Sequence, residues 1–498
     1  MIFGTGIDAQ EISAVQKLVE RRPRFVDVIL TANERAVFDE RKGKHQWEYL
    51  AGRFSLKEAY SKAIGTGIGS AVHWHDLETD YTAQGAPVLV KHPYDKQYQA
   101  HISISHTGDS VHTSVILEDM ASLTQPVSSH RPAWLEISAS ALAHNVAYIK
   151  ELAHAERFMA VVKANAYGHG LPEIVTAALA AQVDGFAVAT LDEGVWLRHF
   201  GVTLPIYILG VTPANQANIL ADQQLTAIVP SLNWLNEALA ALTVAQKLPV
   251  SIGVDTGMGR IGIRDEAELL ATVQTLQAAV DKVDFQAIGM HFATADGAGS
   301  DQAYFEKQMA RWHALVDPLD LPATVIKHQA NSASALWHDQ VIAHDMVRVG
   351  AGMYGFDASS GVLEARATQP VLSLKAELVH VKQVAAGESI SYGATYTTTE
   401  PTWIGTVPVG YADGYARLLQ GADVLLPDGQ RAPIIGRVTM DQLLIALPAE
   451  YPVGTVITLI GQVGQEEITL VDLADRLATI PYEVATGLSP RLPRRIVN

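Results

Sequence analysis

The chain has 498 residues, of which 48% are hydrophobic and 18% charged, which predicts about three globular domains and leaves no apolar segment long enough for a membrane span. It contains no cysteine and begins without the basic segment of a signal peptide, so disulfides and thiolate metal sites are excluded and a cytoplasmic location is favoured. The net charge of −17 lies mostly beyond residue 120 and argues against nucleic acid as a partner of that part.

The first 120 residues predict an α+β module. Tyr49–Ile64 has helical character, whereas Ser103–Ser105 and Ser114–Leu117 are strand-like. Glu58 and Lys62 are four residues apart and therefore share one face of the predicted helix. On its own this pair is typical of a surface ion pair.

After a small, polar linker at residues 121–131, short apolar runs alternate with stretches of helical length such as Leu232–Gln246 and Glu266–Val280. This alternation predicts a (β/α)8 TIM-type barrel over residues 132–365 rather than an open sheet. The eight predicted barrel strands are Phe158–Val162, Gly185–Ala189, Ile206–Leu209, Leu225–Val229, Val250–Val254, Phe285–His291, Thr324–Gln329 and Met346–Val349.

Residues 366–498 predict a third, β-rich domain, because strand-like runs there are separated by turn residues. The strand-like segment 132–138, which precedes the barrel, is expected to join this domain. The predicted strands of residues 366–498 are Val371–Val384, Trp403–Val409, Ala422–Leu426, Arg431–Val438, Leu443–Leu447 and Val456–Ile460.

Lys163 lies at the C-terminal end of the first predicted barrel strand, within Ala160–Gly170. Active sites of such barrels lie at this end of the strands. An ammonium group there is poorly solvated, so we expect its pKa to fall and the neutral amine to become a nucleophile. This is what covalent attachment of pyridoxal phosphate requires. From position alone, a surface lysine at a strand end is an equally open interpretation.

The run around Lys163 resembles the cofactor-lysine motif of alanine racemases, and seven further motifs of that family follow in the same order. Together they cover roughly residues 131–498. These motifs are Val254–Arg260, Gly289–Asp296, His328–Ser332, Met346–Gly355, Ser391–Tyr396, Gly410–Gly414 and Met440–Gln442.

The resemblance implies that Lys163 binds pyridoxal phosphate and that the phosphate lies near the loops after strands seven and eight, where barrels commonly bind it. Arg348 would face the pyridine nitrogen. Because a guanidinium stays protonated, Arg348 cannot give that nitrogen a full proton. The cofactor ring is then a weaker electron sink, which favours proton exchange at Cα over decarboxylation. His291 is expected to hydrogen-bond Arg348 or Tyr392. The implied cofactor contacts besides Lys163 are Tyr167, His291, Asn331, Ser332, Arg348, Gly350 and Tyr354.

Racemisation needs a base on each face of a planar intermediate, and the resemblance implies Lys163 on one face and Tyr392 on the other. The family's tyrosine enters from the partner chain, which implies a homodimer. A cation such as Arg260 is expected to help ionise the phenol. Substrate contacts would come from Arg260, Tyr411 and the backbone amide of Met440. The implied activity interconverts L-alanine and D-alanine and supplies D-alanine for cell-wall synthesis.

Two positions depart from the family pattern. Gly253 stands where the family often has a carbamylated lysine that supports the equivalent of Arg260, and Pro490 stands near the place of a tyrosine that narrows the substrate entrance. The run Gly257–Gly262 matches a dinucleotide-binding fingerprint, but it follows strand five of a barrel and no second Rossmann half is present, so we reject that interpretation.

The N-terminal motifs Gly6–Ile12, Ala51–Ala63, Gly65–Gly69 and Ser103–Thr107 together resemble holo-acyl-carrier-protein synthase. The resemblance implies Mg²⁺-dependent transfer of 4'-phosphopantetheine from coenzyme A to a serine of acyl carrier protein, with Asp8 and Glu58 as metal ligands. The implied coenzyme A contacts are Arg53, Lys62, Gly65, Thr66, Gly67 and His106.

Several alternatives remain open at this point. The basic cluster Arg21, Arg22 and Arg24 fits either docking of an acidic carrier protein or a solvated helix end, and Ala14 replaces an arginine of the family. The N-terminal module could serve only for oligomerisation or interaction. Residues 132–498 could be a racemase of broader specificity. Arg348 argues against a decarboxylase of the same fold type, and Tyr392 argues against a non-catalytic protein that only binds the cofactor. A dimeric racemase part and a trimeric module would together form a hexamer.

Overall fold

The computed structural model describes residues 2–69, 71–82, 85–95, 97–119, 130–338, 345–357, 359 and 361–498. It contains two compact units that divide between residues 126 and 127. Of the predicted linker 121–131, residues 121–129 lie outside the described residues. Within the described ranges, no helix is long and apolar enough to cross a membrane.

The first unit is the predicted α+β module. Its elements are β1 (Ile2–Glu11), α1 (Ile12–Arg21), α2 (Phe25–Ile29), α3 (Ala32–Glu40), α4 (Lys44–Ile64), β2 (Glu78–Tyr81), β3 (Pro87–Lys91), β4 (Tyr98–Thr107) and β5 (Ser110–Asp119). The main sheet is antiparallel in the order β1-β5-β4, and β2 pairs with β3. Helix α4 lies directly on β1 because two glycines make room for it. A Cβ on Gly4 or Gly6 would fall 2.1 or 1.9 Å from a carbonyl oxygen of the helix.

The second unit contains the barrel, whose elements follow one another in the predicted alternation. Strand β6 (Ala133–Ser138) precedes the barrel in the chain. The barrel elements are α5 (Ala139–Leu152), β7 (Phe158–Val161), α6 (Lys163–Tyr167), α7 (Leu171–Ala180), β8 (Gly185–Val188), α8 (Leu191–His199), β9 (Ile206–Ile208), α9 (Ala217–Asp222), β10 (Leu225–Val229), α10 (Leu232–Ala241), β11 (Leu248–Gly253), α11 (Glu266–Ala278), β12 (Val283–Gly289), α12 (Ser300–Val316), β13 (Ile326–His328), α13 (Ser332–Trp337) and β14 (Val347–Val349).

Eight parallel strands form a nearly closed barrel in the order β13-β12-β11-β10-β9-β8-β7-β14, which confirms the predicted (β/α)8 fold. Strands β7, β8, β9 and β11 are buried along their whole length. Strands that are covered on both faces have nearly continuous apolar sequences, and this property made the eight runs recognisable.

The β-rich domain forms one large sheet in the order β16-β19-β22-β21-β20-β23-β15-β6-β25, with β24 paired to β23. Strand β6 lies in this sheet between β15 and β25. The elements are β15 (Leu372–Glu377), β16 (His380–Val384), β17 (Ser389–Ile390), β18 (Tyr396–Thr397), β19 (Thr402–Val407), β20 (Asp423–Leu425), β21 (Arg431–Ile435), β22 (Leu443–Leu447), β23 (Val456–Val463), β24 (Glu466–Ile468), α14 (Leu470–Leu477), α15 (Pro481–Thr486) and β25 (Arg494–Val497).

Most predicted elements differ from the structure by a few residues at their ends, and two of the differences have a clear tertiary cause. The single strand Val371–Val384 is wrong, because β15 pairs with β23 whereas β16 pairs with β19. The helix predicted to reach Gln246 ends at Ala241. Its end is fixed from another element, since the Asn218 side chain accepts a hydrogen bond from the Thr243 amide at 2.9 Å and donates to the Ala241 carbonyl at 3.2 Å.

Candidate functional site

Lys163 follows β7 directly and lies at the C-terminal end of the barrel, where the sequence predicts it. Burial is the main cause that lowers its pKa, and the positive charge of Arg260 lowers it further, while Glu193 acts in the opposite direction. Burial and the charge of Arg260 both favour the neutral amine. A neutral amine at this end of the barrel is chemically suited to attack a carbonyl group.

The turn after Lys163 has an unusual backbone. The four residues Ala164–Tyr167 all have left-handed φ angles between 53° and 54°, although none is glycine. Such a conformation costs roughly 1–2 kcal/mol per residue and must be held by its surroundings. The Ala166 amide donates to the Val162 carbonyl at 2.9 Å, and the Asn165 side chain accepts from the Leu171 amide at 2.8 Å. The strained turn carries Tyr167 into the barrel mouth.

Hydroxyl groups cluster around the buried backbone of Gly350, after β14. The Gly350 amide donates to the Ser332 hydroxyl at 2.9 Å, and a Cβ on Gly350 would fall 2.5 Å from the Tyr167 hydroxyl oxygen. The Tyr354 hydroxyl donates to the Val161 carbonyl at 3.0 Å, and the rings of Tyr167 and Tyr354 are 5.0 Å apart. Burial raises the pKa of both tyrosines, so both remain hydrogen-bond donors. This cluster fits a small anionic group.

Asn331, a predicted cofactor contact, serves as the N-cap of α13. Its side-chain oxygen accepts a hydrogen bond from the Ser334 amide at 3.0 Å. The cap fixes the start of the helix and thereby the position of Ser332, which faces Gly350.

Arg348 is buried in the barrel interior, with 6% of its surface exposed. One guanidinium nitrogen contacts Nδ1 of His328, and the other donates to the Met290 carbonyl at 2.7 Å. The prediction that His291 hydrogen-bonds Arg348 is therefore wrong, because the histidine at the end of the next strand makes the contact. Burial lowers the pKa of Arg348 to about 10, so it stays protonated near neutral pH.

His291 lies near the same charges. Burial, followed by the charges of Arg348, Arg260 and Lys163, lowers its pKa to about 3. A neutral His291 therefore lies near the amine of Lys163 and the guanidinium groups of Arg348 and Arg260 at the mouth of the barrel.

The loop after β11 carries Arg260 and is held by helix α12, a contact that sequence reasoning missed. Gln308 of α12 is fully buried. Its side chain donates to the Thr256 hydroxyl at 3.3 Å and the His291 carbonyl at 3.1 Å, and it accepts from the Ala293 amide at 2.9 Å. Gln308 thus joins the loops after β11 and β12. Its position in the middle of a helix gives no local sequence signal for this role.

Further contacts hold the backbone of the same loop. The Asp255 carboxylate accepts from the amides of Gly257 and Gly259 at 3.0 and 2.9 Å. Tyr304 and Arg311 of α12 donate to the carbonyl oxygens of Gly257 and Thr256 at 2.8 and 3.0 Å. The loop is therefore fixed at four points of its backbone.

Gly253, which replaces the family's lysine, faces a filled space. A Cβ there would fall 3.0 Å from Cδ1 of Ile228 on the neighbouring strand β10. The apolar Ile228 side chain lies against the Gly253 position, so a longer side chain at residue 253 would require Ile228 to move.

In the β-rich domain, the predicted catalytic tyrosine and substrate contacts are exposed. Tyr392 is 72% exposed, Tyr411 43% and Met440 53%. Tyr411 and Met440 lie on two loops in close contact, since the Tyr411 amide donates to the Thr439 carbonyl at 3.1 Å and a Cβ on Gly410 would fall 2.4 Å from the Met440 carbonyl oxygen. These three side chains form an open edge rather than a closed pocket of a single chain.

A buried carboxylate supports that edge. Asp413 is fully buried, accepts from the Gly410 amide at 2.9 Å and forms an ion pair with Arg131. Its carbonyl accepts from the Ser489 amide at 3.0 Å, which places the segment of Pro490 beside the Tyr411 loop.

In the first unit, the predicted metal ligands and Lys62 lie together. Nζ of Lys62 donates to Oδ1 of Asp8 at 2.8 Å. The pKa of Glu58 is raised, first by burial and then by the nearby charge of Asp8. Two carboxylates this close suit a divalent cation. No cluster of three or more His, Cys, Asp or Glu side chains of metal-site geometry is present in the parts of the chain that the structure describes.

The predicted coenzyme A contacts fall into two groups. Gly65, Thr66 and Gly67 form the end of α4 beside Lys62, and both glycines have left-handed φ angles. Arg53 differs, because it is only 1% exposed and its guanidinium lies over the rings of Tyr49 and Tyr81 at 4.3 and 5.1 Å. A ligand could reach Arg53 only after Tyr81 moves. Nε2 of His106 lies 3.4 Å from the Glu48 carbonyl.

Three family models match the chain. Residues 137–358 match the alanine racemase N-terminal domain, residues 371–496 the alanine racemase C-terminal domain, and residues 4–116 the 4'-phosphopantetheinyl transferase superfamily. The first two matches contain the barrel and the β-rich domain, and the third contains the first unit.

Three similar proteins illustrate the relationship, and each of them is a racemase. The chain is 47% identical to an alanine racemase of Levilactobacillus brevis over 374 residues, which are 74% of this chain and 98% of that protein. A crystal structure of alanine racemase from E. faecalis is 44% identical, with a TM-score of 0.71 over 75% of this chain and all of that one. A histidine racemase from Leuconostoc mesenteroides subsp. sake is 37% identical, also with a TM-score of 0.71, over 74% of this chain and 99% of that one.

Proposed function

The chain belongs to the alanine racemase family, and we propose that it interconverts L-alanine and D-alanine through two proton-transferring residues, Lys163 and Tyr392. The observation that carries this proposal is the half-buried Lys163 at the mouth of the barrel, whose pKa is lowered by partial burial and by Arg260. The family match over the barrel and the β-rich domain supports the same reaction.

The residues around Lys163 fit pyridoxal phosphate. The fit rests on the polar cluster at Gly350, where the absence of a Cβ lets the Tyr167 hydroxyl approach the backbone and where the Ser332 hydroxyl contacts the Gly350 amide. Lys163 would hold the cofactor covalently, Ser332, Tyr354 and the Gly350 amide would bind its phosphate, and Arg348 would face its ring. When bound, the cofactor withdraws electrons from the substrate and so acidifies its Cα hydrogen.

The chain's own residues would then divide the proton transfer. Lys163 would exchange a proton with Cα on one face, and Tyr392 of the partner subunit would exchange one on the other. Arg260 would bind the substrate carboxylate, with Tyr411 and the Met440 amide of the partner subunit at the same end. The exposure of Tyr392 in the single chain supports its action in a second copy.

The assay for this proposal follows D-alanine formation from L-alanine by the purified chain with added pyridoxal phosphate. We expect Lys163→Ala to lose at least about a hundredfold in rate, because a positioned acid–base group typically contributes 10²–10⁴-fold, and to lose the visible absorbance of the bound cofactor. The exposed lysine variant Lys247→Ala provides the matched control. Unchanged absorbance and rate in Lys163→Ala would disprove the role of this lysine.

A broader substrate range is a second candidate, favoured by the similarity to a histidine racemase. Pro490 lies beside the Tyr411 loop, where a larger side chain would narrow the entrance. Comparing kcat/KM for L-alanine, L-serine and L-histidine decides between the two candidates. Preference for alanine by more than about 100-fold supports the narrow assignment, since one pocket contact is worth 10–200-fold.

For the first unit, we propose Mg²⁺-dependent transfer of 4'-phosphopantetheine from coenzyme A to a serine of acyl carrier protein. Asp8 and Glu58 would bind the metal, because Mg²⁺ is typically held by one or two carboxylates together with substrate phosphates. Lys62 would neutralise the charge of the pyrophosphate.

The mass of a carrier protein, measured after incubation with the full chain, coenzyme A and Mg²⁺, tests this activity. Asp8→Asn and Glu58→Gln should lose the mass increase and keep racemase activity, and the exposed variant Glu20→Gln should keep both. If the parent chain leaves the carrier unmodified, the module serves for oligomerisation or interaction only.

A further inference from the structure

The barrel interior contains a buried hydroxyl that none of the motifs includes. Ser251 of β11 is 3% exposed, and its Oγ lies 3.0 Å from Nε2 of His328. The other ring nitrogen of His328 contacts Arg348. The three side chains therefore form a continuous row, Ser251–His328–Arg348, across the interior from β11 to β14.

The row fixes the tautomer of His328. A guanidinium has donors and no acceptor, so Nδ1 of His328 must accept from Arg348 with its lone pair. A neutral ring then carries its hydrogen on Nε2 and donates it to the Ser251 hydroxyl. Burial and the charge of Arg348 hold the pKa of His328 well below its ordinary value, which keeps the ring neutral.

The ring of His328 is also held by shape. A Cβ on Gly289 of β12 would fall 2.0 Å from Cε1 of His328, so the ring rests directly on the backbone of the neighbouring strand. Tyr207 approaches it edge-on, with the ring centres 6.0 Å apart. With these apolar contacts alone, the ring could still turn over, which exchanges Nδ1 with Cδ2 and Nε2 with Cε1 and so moves Nδ1 away from Arg348. The hydrogen bond to Ser251 distinguishes the two orientations.

Arg348 depends on this orientation because its other protein partners are backbone oxygens. Its guanidinium donates to the Met290 carbonyl at 2.7 Å and to the His328 carbonyl at 3.3 Å. Among the described residues, no acidic side chain forms an ion pair with Arg348. The lone pair of His328 is thus the side-chain acceptor that sets the plane of the guanidinium.

We propose that Ser251 is a positioning residue for racemisation, which acts through His328 to hold Arg348 in the plane required for contact with the cofactor ring. The inference rests on the proposed function, in which Arg348 faces that ring. It names a residue that reaches neither substrate nor cofactor.

The test compares Ser251→Ala, which removes the hydroxyl, with Ser251→Thr, which retains it. A matched control is Thr226→Val on the adjacent strand β10, where a buried hydroxyl donates to Gln286 at 2.8 Å without contacting Arg348. The measurements are the visible absorption spectrum of the cofactor-bound enzyme, the ¹⁵N shifts of His328, and kcat and KM for L-alanine.

We expect Ser251→Ala to lower kcat about tenfold, the effect of one lost hydrogen bond of about 1.4 kcal/mol, with a smaller change in KM. Its cofactor absorption band should shift and its His328 shifts should indicate mixed tautomers, whereas Ser251→Thr should restore both. Thr226→Val should alter only thermal stability.

The inference is overturned if Ser251→Ala keeps the parent spectrum, tautomer and kcat, or if it changes only stability as Thr226→Val does. Failure of the proposed function has a different signature, because the parent chain itself would then lack racemase activity or bind no pyridoxal phosphate.

Discussion

Arg348 buries a positive charge with neutral partners, His328 and backbone carbonyls. Removing an ion from water costs several kcal/mol unless other groups compensate for it, and the lowered pKa of Arg348 is one expression of that cost. A cation kept under these conditions is ready to interact with an electron-rich ring or an anion. We infer that cofactor binding recovers part of the cost, so the cofactor-free protein should be less stable than the loaded one.

At this scale the sequence predicted residue types better than contacts. Arg348 and Lys163 were recognisable because each follows or ends an apolar strand within a long motif. The contact between Arg348 and His328 was not predicted, because His291 and His328 lie at neighbouring strand ends and the sequence does not show which side chain points toward Arg348. The sequence feature that could have indicated the position of the His328 ring is Gly289, because its missing Cβ makes room for that ring.

His169 should make stability dependent on pH. It is fully buried, and burial lowers its pKa to about 4 from an ordinary value of 6.5. Because the folded-state pKa lies below the unfolded one, the unfolded chain binds the proton first as pH falls. The neutral form of His169 contributes about 3 kcal/mol to the free energy of unfolding, and this contribution is complete above about pH 6.5. It is lost as the pH falls from about 6.5 to 4.

We therefore expect the midpoint of thermal unfolding to fall less steeply in His169→Asn than in the parent between about pH 7.5 and 5. Asparagine does not titrate and keeps a donor for the Tyr167 carbonyl, which His169 contacts at 3.0 Å. The exposed variant His380→Asn should follow the parent curve. Parallel curves for parent and His169→Asn would show that this histidine does not contribute.

At the scale of elements, helix α12 holds the loop that carries Arg260, the proposed substrate contact, from the outside of the barrel. Gln308→Leu should raise KM for alanine several-fold and lower stability by about 1–3 kcal/mol, because it leaves the Ala293 amide and the His291 carbonyl without their partner. Steady-state kinetics and thermal unfolding measure the two effects. Gln302→Leu on the same helix, where the side chain bonds only Glu306, is the control. Equal KM values in both variants would contradict the role of α12.

Most barrel strands could be predicted because burial on both faces gives them nearly continuous apolar runs, whereas β12 and β13 also contain charged or polar residues. Element ends were harder to predict. The end of α10 depends on Asn218 of another helix, and the break between β15 and β16 depends on which strands lie beside them. These are tertiary interactions between residues far apart in the chain, and no local pattern contains them.

At the scale of the whole molecule, the exposed Tyr392 leads to a complementation experiment. Lys163→Ala and Tyr392→Phe should each be inactive, yet refolding or coexpressing them together should restore activity. In random mixing about half of the dimers are mixed and one of their two sites has both residues, so about a quarter of the parent sites should return. Each variant mixed with itself is the control, and no recovery in the mixture would place both residues in one chain.

The sheet of the first unit leads to the last prediction. One face is covered by α4, and the other exposes Ile7 and Ile116, which are 71% and 38% accessible. The rest of this face is mainly polar, so the two exposed isoleucines are the side chains to test for contact with other copies. If three modules meet there while the racemase parts pair, the closed assembly has six chains of 53.6 kDa.

Light scattering should give the mass of six chains for the parent and the mass of a dimer for Ile116→Asp. The control Val28→Asp, at an exposed position of α2, should leave the hexamer intact. A parent chain that is already a dimer would reject the hexamer, because the module would then add no contact of its own.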